Sequence, residues 1–128
     1  MQITLGRVVI LVHDYDDALD FYSKVLNARI LFQQTTETGQ RFLHIGFDDR
    51  HLGIWFLLAE DETQKQLVGQ QTGDQPALVM YTNDMQAFLT LLDEYQVKII
   101  RPLKSDPSSQ YIHFADLYGN EIIMVQLN

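Results

Sequence analysis

Runs of apolar residues and the spacing between them divide the chain into alternating short strands and helices. Val8 to Val12 is an unbroken apolar run that predicts a buried strand, and Asp14 stands where a following helix would be capped. From Asp16 onward Ala18, Leu19, Tyr22, Val25 and Leu26 recur at spacings of three and four. Asp17, Asp20, Ser23 and Lys24 fall between them, so the segment predicts one amphipathic helix. Segments 28–36, 41–47 and 52–59 are short and rich in Ile, Leu and Phe, and the breaks Thr38-Gly39-Gln40 and Asp48-Asp49-Arg50 separate them. They predict an antiparallel meander. Residues 60–74 are polar and Gln-rich and carry Gly69 and Gly73, which reads as a linker.

The same order then returns, with a strand over 77–81, a helix over 83–95, and strands over 97–103, 110–115 and 121–127. Asp14 and Asp84 are 70 residues apart and His44 and His113 are 69 apart, so nearly one offset superposes whole modules. Arg41-Phe-Leu-His-Ile thereby falls on Gln110-Tyr-Ile-His-Phe. The expectation is a single α+β domain of two tandem βαβββ modules, 3–59 and 75–127, forming a curved mixed sheet. Each module has one helix for one face of its strands, which leaves the other faces to line a central groove.

Composition narrows the chemistry. The 128 residues fit one domain of this kind, and 46% hydrophobic residues suffice for its core. Nine Lys and Arg against 17 Asp and Glu give a net charge of −8, which disfavours nucleic acid as a partner. The absence of cysteine excludes disulfides, thiolate metal sites and cysteine nucleophiles, and suits a reducing cytoplasm. The apolar run from Gly53 to Ala59 is far below the roughly 20 residues of a membrane span. The N-terminus has the apolar stretch Val8 to Val12 but no basic n-region and no small-residue cleavage site, so a soluble cytoplasmic protein without membrane partners is expected. No G-x-G-x-x-G, P-loop or G-x-S-x-G motif is present, which leaves dinucleotide, nucleoside-triphosphate and esterase chemistry without their machinery. Asp14, Asp16, Asp17 and Asp20 sit in the first turns of a helix, where acids favour the dipole, and read as a cap rather than a Ca²⁺ loop.

The order of elements, the segment Val12-His-Asp-Tyr-Asp-Asp-Ala-Leu-Asp-Phe-Tyr-Ser-Lys-Val-Leu and the ending Phe114-Ala-Asp-Leu-Tyr-Gly-Asn-Glu-Ile resemble the vicinal oxygen chelate superfamily. That superfamily includes glyoxalase I, the bleomycin and fosfomycin resistance proteins and the extradiol dioxygenases. The resemblance spans nearly the whole chain. It implies a divalent metal held from the first and last strand of each module, and it implies a homodimer. Aligned on the motifs, the four metal positions fall on Arg7, Ile54, Ala77 and Ile123. None of these offers imidazole nitrogen or carboxylate oxygen, and a guanidinium repels a cation. The usual metal is therefore not expected, and no cofactor takes its place. The turn Asp116-Leu-Tyr-Gly-Asn lacks the family's proline but keeps Gly119, where a positive φ is expected.

Strand alternation nominates what else lines the groove: Arg7, His44, Phe56, Tyr111, His113 and Glu121. Turn-length counting places His44 opposite Ile54 and His113 opposite Ile123, with Leu43, Ile45, Phe47, Trp55 and Leu57 facing the first helix. A slip of one residue would reverse each assignment. His44 and His113 read either as a base or ligand partner or as histidines satisfied by neighbours. Glu121 either orients His113 or faces water. Arg7 binds an anionic ligand group or makes an internal ion pair. Trp55 reads as core rather than a stacking platform, and Phe42 and Tyr111 as an aromatic wall or ordinary sheet filling.

Three functions follow from this reading. The first is a metal-independent protein that binds or sequesters a small molecule. The second is a glyoxalase-like lyase or isomerase, or a dioxygenase-type enzyme, working through a shifted metal site of His44, His113 and Glu121 or through a histidine base. The third is an interaction module pairing two chains through sheet edges.

Overall fold

The computed structural model describes residues 1–47 and 52–128. It divides into two compact units, Met1–Val68 and Gly69–Asn128, and each repeats the predicted strand–helix–three-strand order.

In the first unit, β1 (Arg7–Val12) leads into α1 (Tyr15–Leu26), followed by β2 (Arg29–Thr35), β3 (Arg41–Gly46) and β4 (Gly53–Leu58). The sheet order is β1-β4-β3-β2, with β1 parallel to β4 and the other pairs antiparallel. The Asp14 carboxylate accepts from the Asp17 N–H at 2.8 Å and starts α1, while Asn27, left-handed at φ 57°, ends it. Ala18, Tyr22, Val25 and Leu26 form the buried stripe of α1. They face a sheet surface built from Ile10, Val12, Leu43, Ile45, Ile54 and Phe56, all buried. The Tyr22 and Phe56 rings meet edge-on at 5.2 Å.

This packing corrects the register expected for β4. His44 pairs with Trp55, and Ile54 pairs with Ile45. Phe56 therefore belongs to the core under α1, not to the open face, and so does Ile54. Trp55 and Leu57 take the opposite face. The expected turn Asp48-Asp49-Arg50, from which the register was counted, lies outside the described residues. One residue of difference in that connection inverts the whole strand, because side chains alternate with period two.

The segment expected as a linker holds a helix, α2 (Glu62–Leu67). Asp61 caps it by accepting from the Gln64 N–H, and the Gln64 side chain accepts from the Glu60 N–H, each at 2.8 Å. Its residues are all exposed or half-buried, so it has no apolar stripe to betray it, only the reciprocal cap.

In the second unit, β5 (Leu78–Tyr81), α3 (Met85–Glu94), β6 (Ile99–Ser105), β7 (Ser109–Ala115) and β8 (Glu121–Leu127) form a sheet of order β5-β8-β7-β6. Asp84 caps α3 as Asp14 caps α1. Met85, Phe88 and Leu92 of α3 are buried, as are Ile112, Phe114, Ile122 and Met124 of the sheet, and the Phe88 and Phe114 rings meet at 5.2 Å. Here the expected register holds, since His113 pairs with Ile123. The β7–β8 turn is organised by buried Asp116, whose carboxylate accepts from the Tyr118 N–H at 2.9 Å, the Asn120 N–H at 3.0 Å and Asn120 Nδ2 at 2.9 Å. Gly119 adopts φ 96° in this turn, the positive φ expected there.

Two outcomes follow for stability. Phe56→Ala should cost about 3–5 kcal/mol in chemical denaturation, the range for emptying an aromatic core site; a near-neutral result would place Phe56 on the open face after all. Asp116→Ala should cost about 2–3 kcal/mol, because several N–H donors lose a charged acceptor, and a calorimetric midpoint equal to wild type would exclude that role.

Candidate functional site

The face of each sheet turned away from its helix collects the chain's remaining polar chemistry. In the first unit it carries Arg7, Val9 and Leu11 from β1, Trp55 and Leu57 from β4, Phe42 and His44 from β3, and Phe32 from β2. Parity puts them there: their neighbours Ile10, Val12, Leu43, Ile45, Ile54 and Phe56 are the ones committed to α1. The result is an aromatic surface around one imidazole. Ring centroids lie 4.9 Å apart for His44 and Trp55, 5.3 Å for Phe32 and His44, and 5.9 Å for Phe42 and Trp55.

Arg7 Nε donates to His44 Nδ1 at 3.0 Å, and Arg7 Nη1 donates to the Gly6 carbonyl at 2.7 Å. Burial and, after it, the Arg7 charge hold the His44 pKa below the ordinary imidazole value. His44 is thus kept neutral with its proton on Nε2, since a guanidinium N–H only donates and Nδ1 must accept. His44 Nε2 and Trp55 Nε1 are both shielded from solvent and have no hydrogen-bond partner among the described residues.

On the second unit's open face, His113 and Tyr111 of β7 stand beside Glu121, Ile123 and Val125 of β8. His113 Nδ1 lies 2.7 Å from Glu121 Oε2, with the two side chains only 14% and 17% exposed. An ionised carboxylate only accepts, so in this pair His113 Nδ1 is the donor. The Tyr111 ring lies 6.2 Å from the His113 ring. Glu121 also borders a recess of about 270 Å³ lined by Gln70, Gly73, Asp74, Gln75, Ile100 and Gly119.

Of the nominated residues, the structure brings Arg7 to His44 and Glu121 to His113, places Tyr111 beside His113, and removes Phe56 to the core. The sequence pattern assigns Trp55 to the core, yet it stands on the open face. No signal in the Ile54 to Leu58 run could have shown this, because it is apolar at both parities. The positions that the resemblance assigns to a metal hold Arg7, Ala77 and Ile123, and the register equivalent of Ile123 is Trp55 rather than Ile54. These side chains do not fit a divalent cation. Among the described residues no three His, Cys, Asp or Glu side chains are grouped to hold one.

The lowered His44 pKa has a definite sign in stability. The unfolded chain takes up a proton at His44 as pH falls through the ordinary imidazole value of about 6.5, while the folded chain does so only at lower pH. Stability from this group is present above that value and declines as pH falls from it toward the folded pKa. Urea midpoints measured across that window should fall less steeply for His44→Gln than for wild type, and parallel slopes would contradict the assignment.

Comparison with known proteins agrees with this architecture. The model of the Glyoxalase/Bleomycin resistance protein/Dioxygenase superfamily matches residues 4–124. An uncharacterized protein of Shewanella frigidimarina (strain NCIMB 400) is 27% identical over 131 residues, which cover 100% of this chain and 96% of that protein. Among solved structures, UcmS2 superposes with a TM-score of 0.81 at 22% identity, covering 98% of each chain. TnmS3, an antibiotic binding protein from Streptomyces sp. CB03234, gives a TM-score of 0.79 at 23% identity over 100% of this chain and 99% of its own. At such identities the structural likeness speaks for the fold, and the family match extends it to the sequence. With its paired four-stranded mixed sheets and this match, the chain belongs to the glyoxalase/bleomycin resistance protein/dioxygenase superfamily.

Proposed function

We propose that this protein binds a small molecule on an open sheet face without the divalent metal usual in its superfamily. What supports the reading is the chemistry at the positions that the resemblance assigns to a metal: Arg7, Trp55, Ala77 and Ile123 offer a guanidinium, an indole, a methyl and a butyl group, none of them a metal ligand. What surrounds them suits a ligand instead. Phe32, Phe42 and Trp55 give apolar area with few, placed polar groups, the composition of binding sites for small organic molecules. TnmS3, an antibiotic binding protein of similar fold, points the same way. A cysteine-free, acidic chain fits a cytoplasmic setting, and a homodimer is part of the same reading.

A second reading is favoured by one distance. The 2.7 Å His113–Glu121 contact orients the imidazole by a carboxylate, and Nε2 of the neutral ring would then be the base of a proton-abstracting lyase or isomerase. No step of that reading runs through a metal.

Three measurements test these readings. Elemental analysis after incubation with Zn²⁺, Ni²⁺, Mn²⁺ and Fe²⁺ and desalting should find no stoichiometric metal. About one metal per chain, lost in His44→Ala or His113→Ala, would overturn the metal-free proposal. A small-molecule library screened by thermal shift should yield stabilising compounds that also quench Trp55, the sole tryptophan. Turnover of a glyoxalase-type substrate by the metal-free protein, abolished by His113→Ala, would install the second reading instead.

A further inference from the structure

The two buried donors of the first sheet that have no partner among the described residues deepen the binding proposal, on which this inference rests. Burying an N–H without an acceptor is among the costlier defects in a folded protein, and native chains satisfy nearly all such groups. Here two occur on residues that pair directly across β3 and β4: His44 Nε2 and Trp55 Nε1. Indole nitrogen only donates. His44 Nε2 would ordinarily be free to present either a proton or a lone pair, but the Arg7 Nε contact at 3.0 Å uses the Nδ1 lone pair and so assigns the proton to Nε2. Both atoms therefore ask for the same thing, an acceptor, and the nearby guanidinium adds a preference for negative charge on it. The tautomer also fixes what the site refuses, because a ligand hydroxyl or amine proton pointed at either nitrogen would meet a donor.

We propose that His44 Nε2–H and Trp55 Nε1–H receive the oxygens of a ligand carboxylate or ketone, and that Arg7 is the positioning residue that holds His44 in the donating tautomer. The proposal requires the Phe32 ring, 5.3 Å from His44 and itself 43% exposed, to swing aside as the ligand enters. The aromatic rings of Phe42 and Trp55 then border the carbon skeleton that carries the oxygen.

Nitrogen-15 NMR of the full-length labelled chain tests each part. In the free protein His44 should carry its proton on Nε2 and not on Nδ1; the reverse tautomer, or rapid exchange between the two, overturns the proposal before any ligand is added. Arg7→Met should release His44 into a mixture of tautomers while Arg7→Lys, which keeps a donor, should preserve the assignment, a difference that a merely structural arginine would not produce. Benzoate, acetophenone and cumene, similar in shape but differing in the acceptor, then serve as probes at millimolar concentration. The His44 Nε2–H and Trp55 Nε1–H proton resonances should move downfield with benzoate and acetophenone and not with cumene, and Arg7→Met should weaken benzoate about tenfold, the equivalent of one hydrogen bond.

Equal response to cumene overturns the donor assignment and leaves apolar binding. Shifts confined to other residues overturn it while preserving small-molecule binding elsewhere on the chain. Resonances that show a long-lived water and ignore every probe overturn it in favour of buried solvent, and the library screen then judges the broader binding proposal by itself.

Discussion

Each sheet of this protein has one helix and two faces, and strand parity decides which residues the helix covers. That constraint governs everything else. Ile10, Leu43, Ile45, Ile54 and Phe56 are committed to α1, and Phe114, Ile122 and Met124 to α3, so the alternate residues are left to the opposite faces whatever their chemistry. A half-buried imidazole at position 44 or 113 is thus tolerated because its neighbours on either side close the core. The aromatic density of the first open face has the same origin, since Phe32, Phe42 and Trp55 are the residues that parity excludes from the hydrophobic layer.

Much of this was legible from spacing alone. The period of three and four in Ala18, Tyr22, Val25 and Leu26, the repeated cap at Asp14 and Asp84, and the repeated histidine each announce an element or its duplicate, because each has a local physical cause. The second module's register was also readable, since the Asp116-to-Asn120 turn is short and its hydrogen bonds fix the count. The first module's register was not. Ile54 to Leu58 presents a large apolar side chain at every position, so neither parity looks wrong. Helix α2 escaped for the opposite reason, having no apolar face for a periodicity to reveal.

The polar groups of the open faces show where sequence reasoning and geometry meet. Arg7 in an apolar setting had to find a partner, and it found an imidazole nitrogen and a carbonyl. Glu121 on the strand beside His113 had the reach to orient it, and does so at 2.7 Å. What spacing could not supply is the direction of each hydrogen bond, because that depends on which ring nitrogen faces the neighbour. Residue types nominate an interaction, while atoms decide its sense.

The duplicated histidine carries a consequence for how such a fold diversifies. At one position of the repeat stands the same imidazole, yet beside His44 the neighbour is a donor and beside His113 an acceptor, so Nδ1 takes a hydrogen bond in one copy and gives one in the other. The ring acts as an inverter whose output is set by a residue on an adjacent strand. A lineage with this scaffold need not replace its histidines to change what they recognise; exchanging the arginine or the glutamate reverses the polarity of the ring. Each module closes its own core under its own helix, so one copy can be rewired while its twin keeps the older sense.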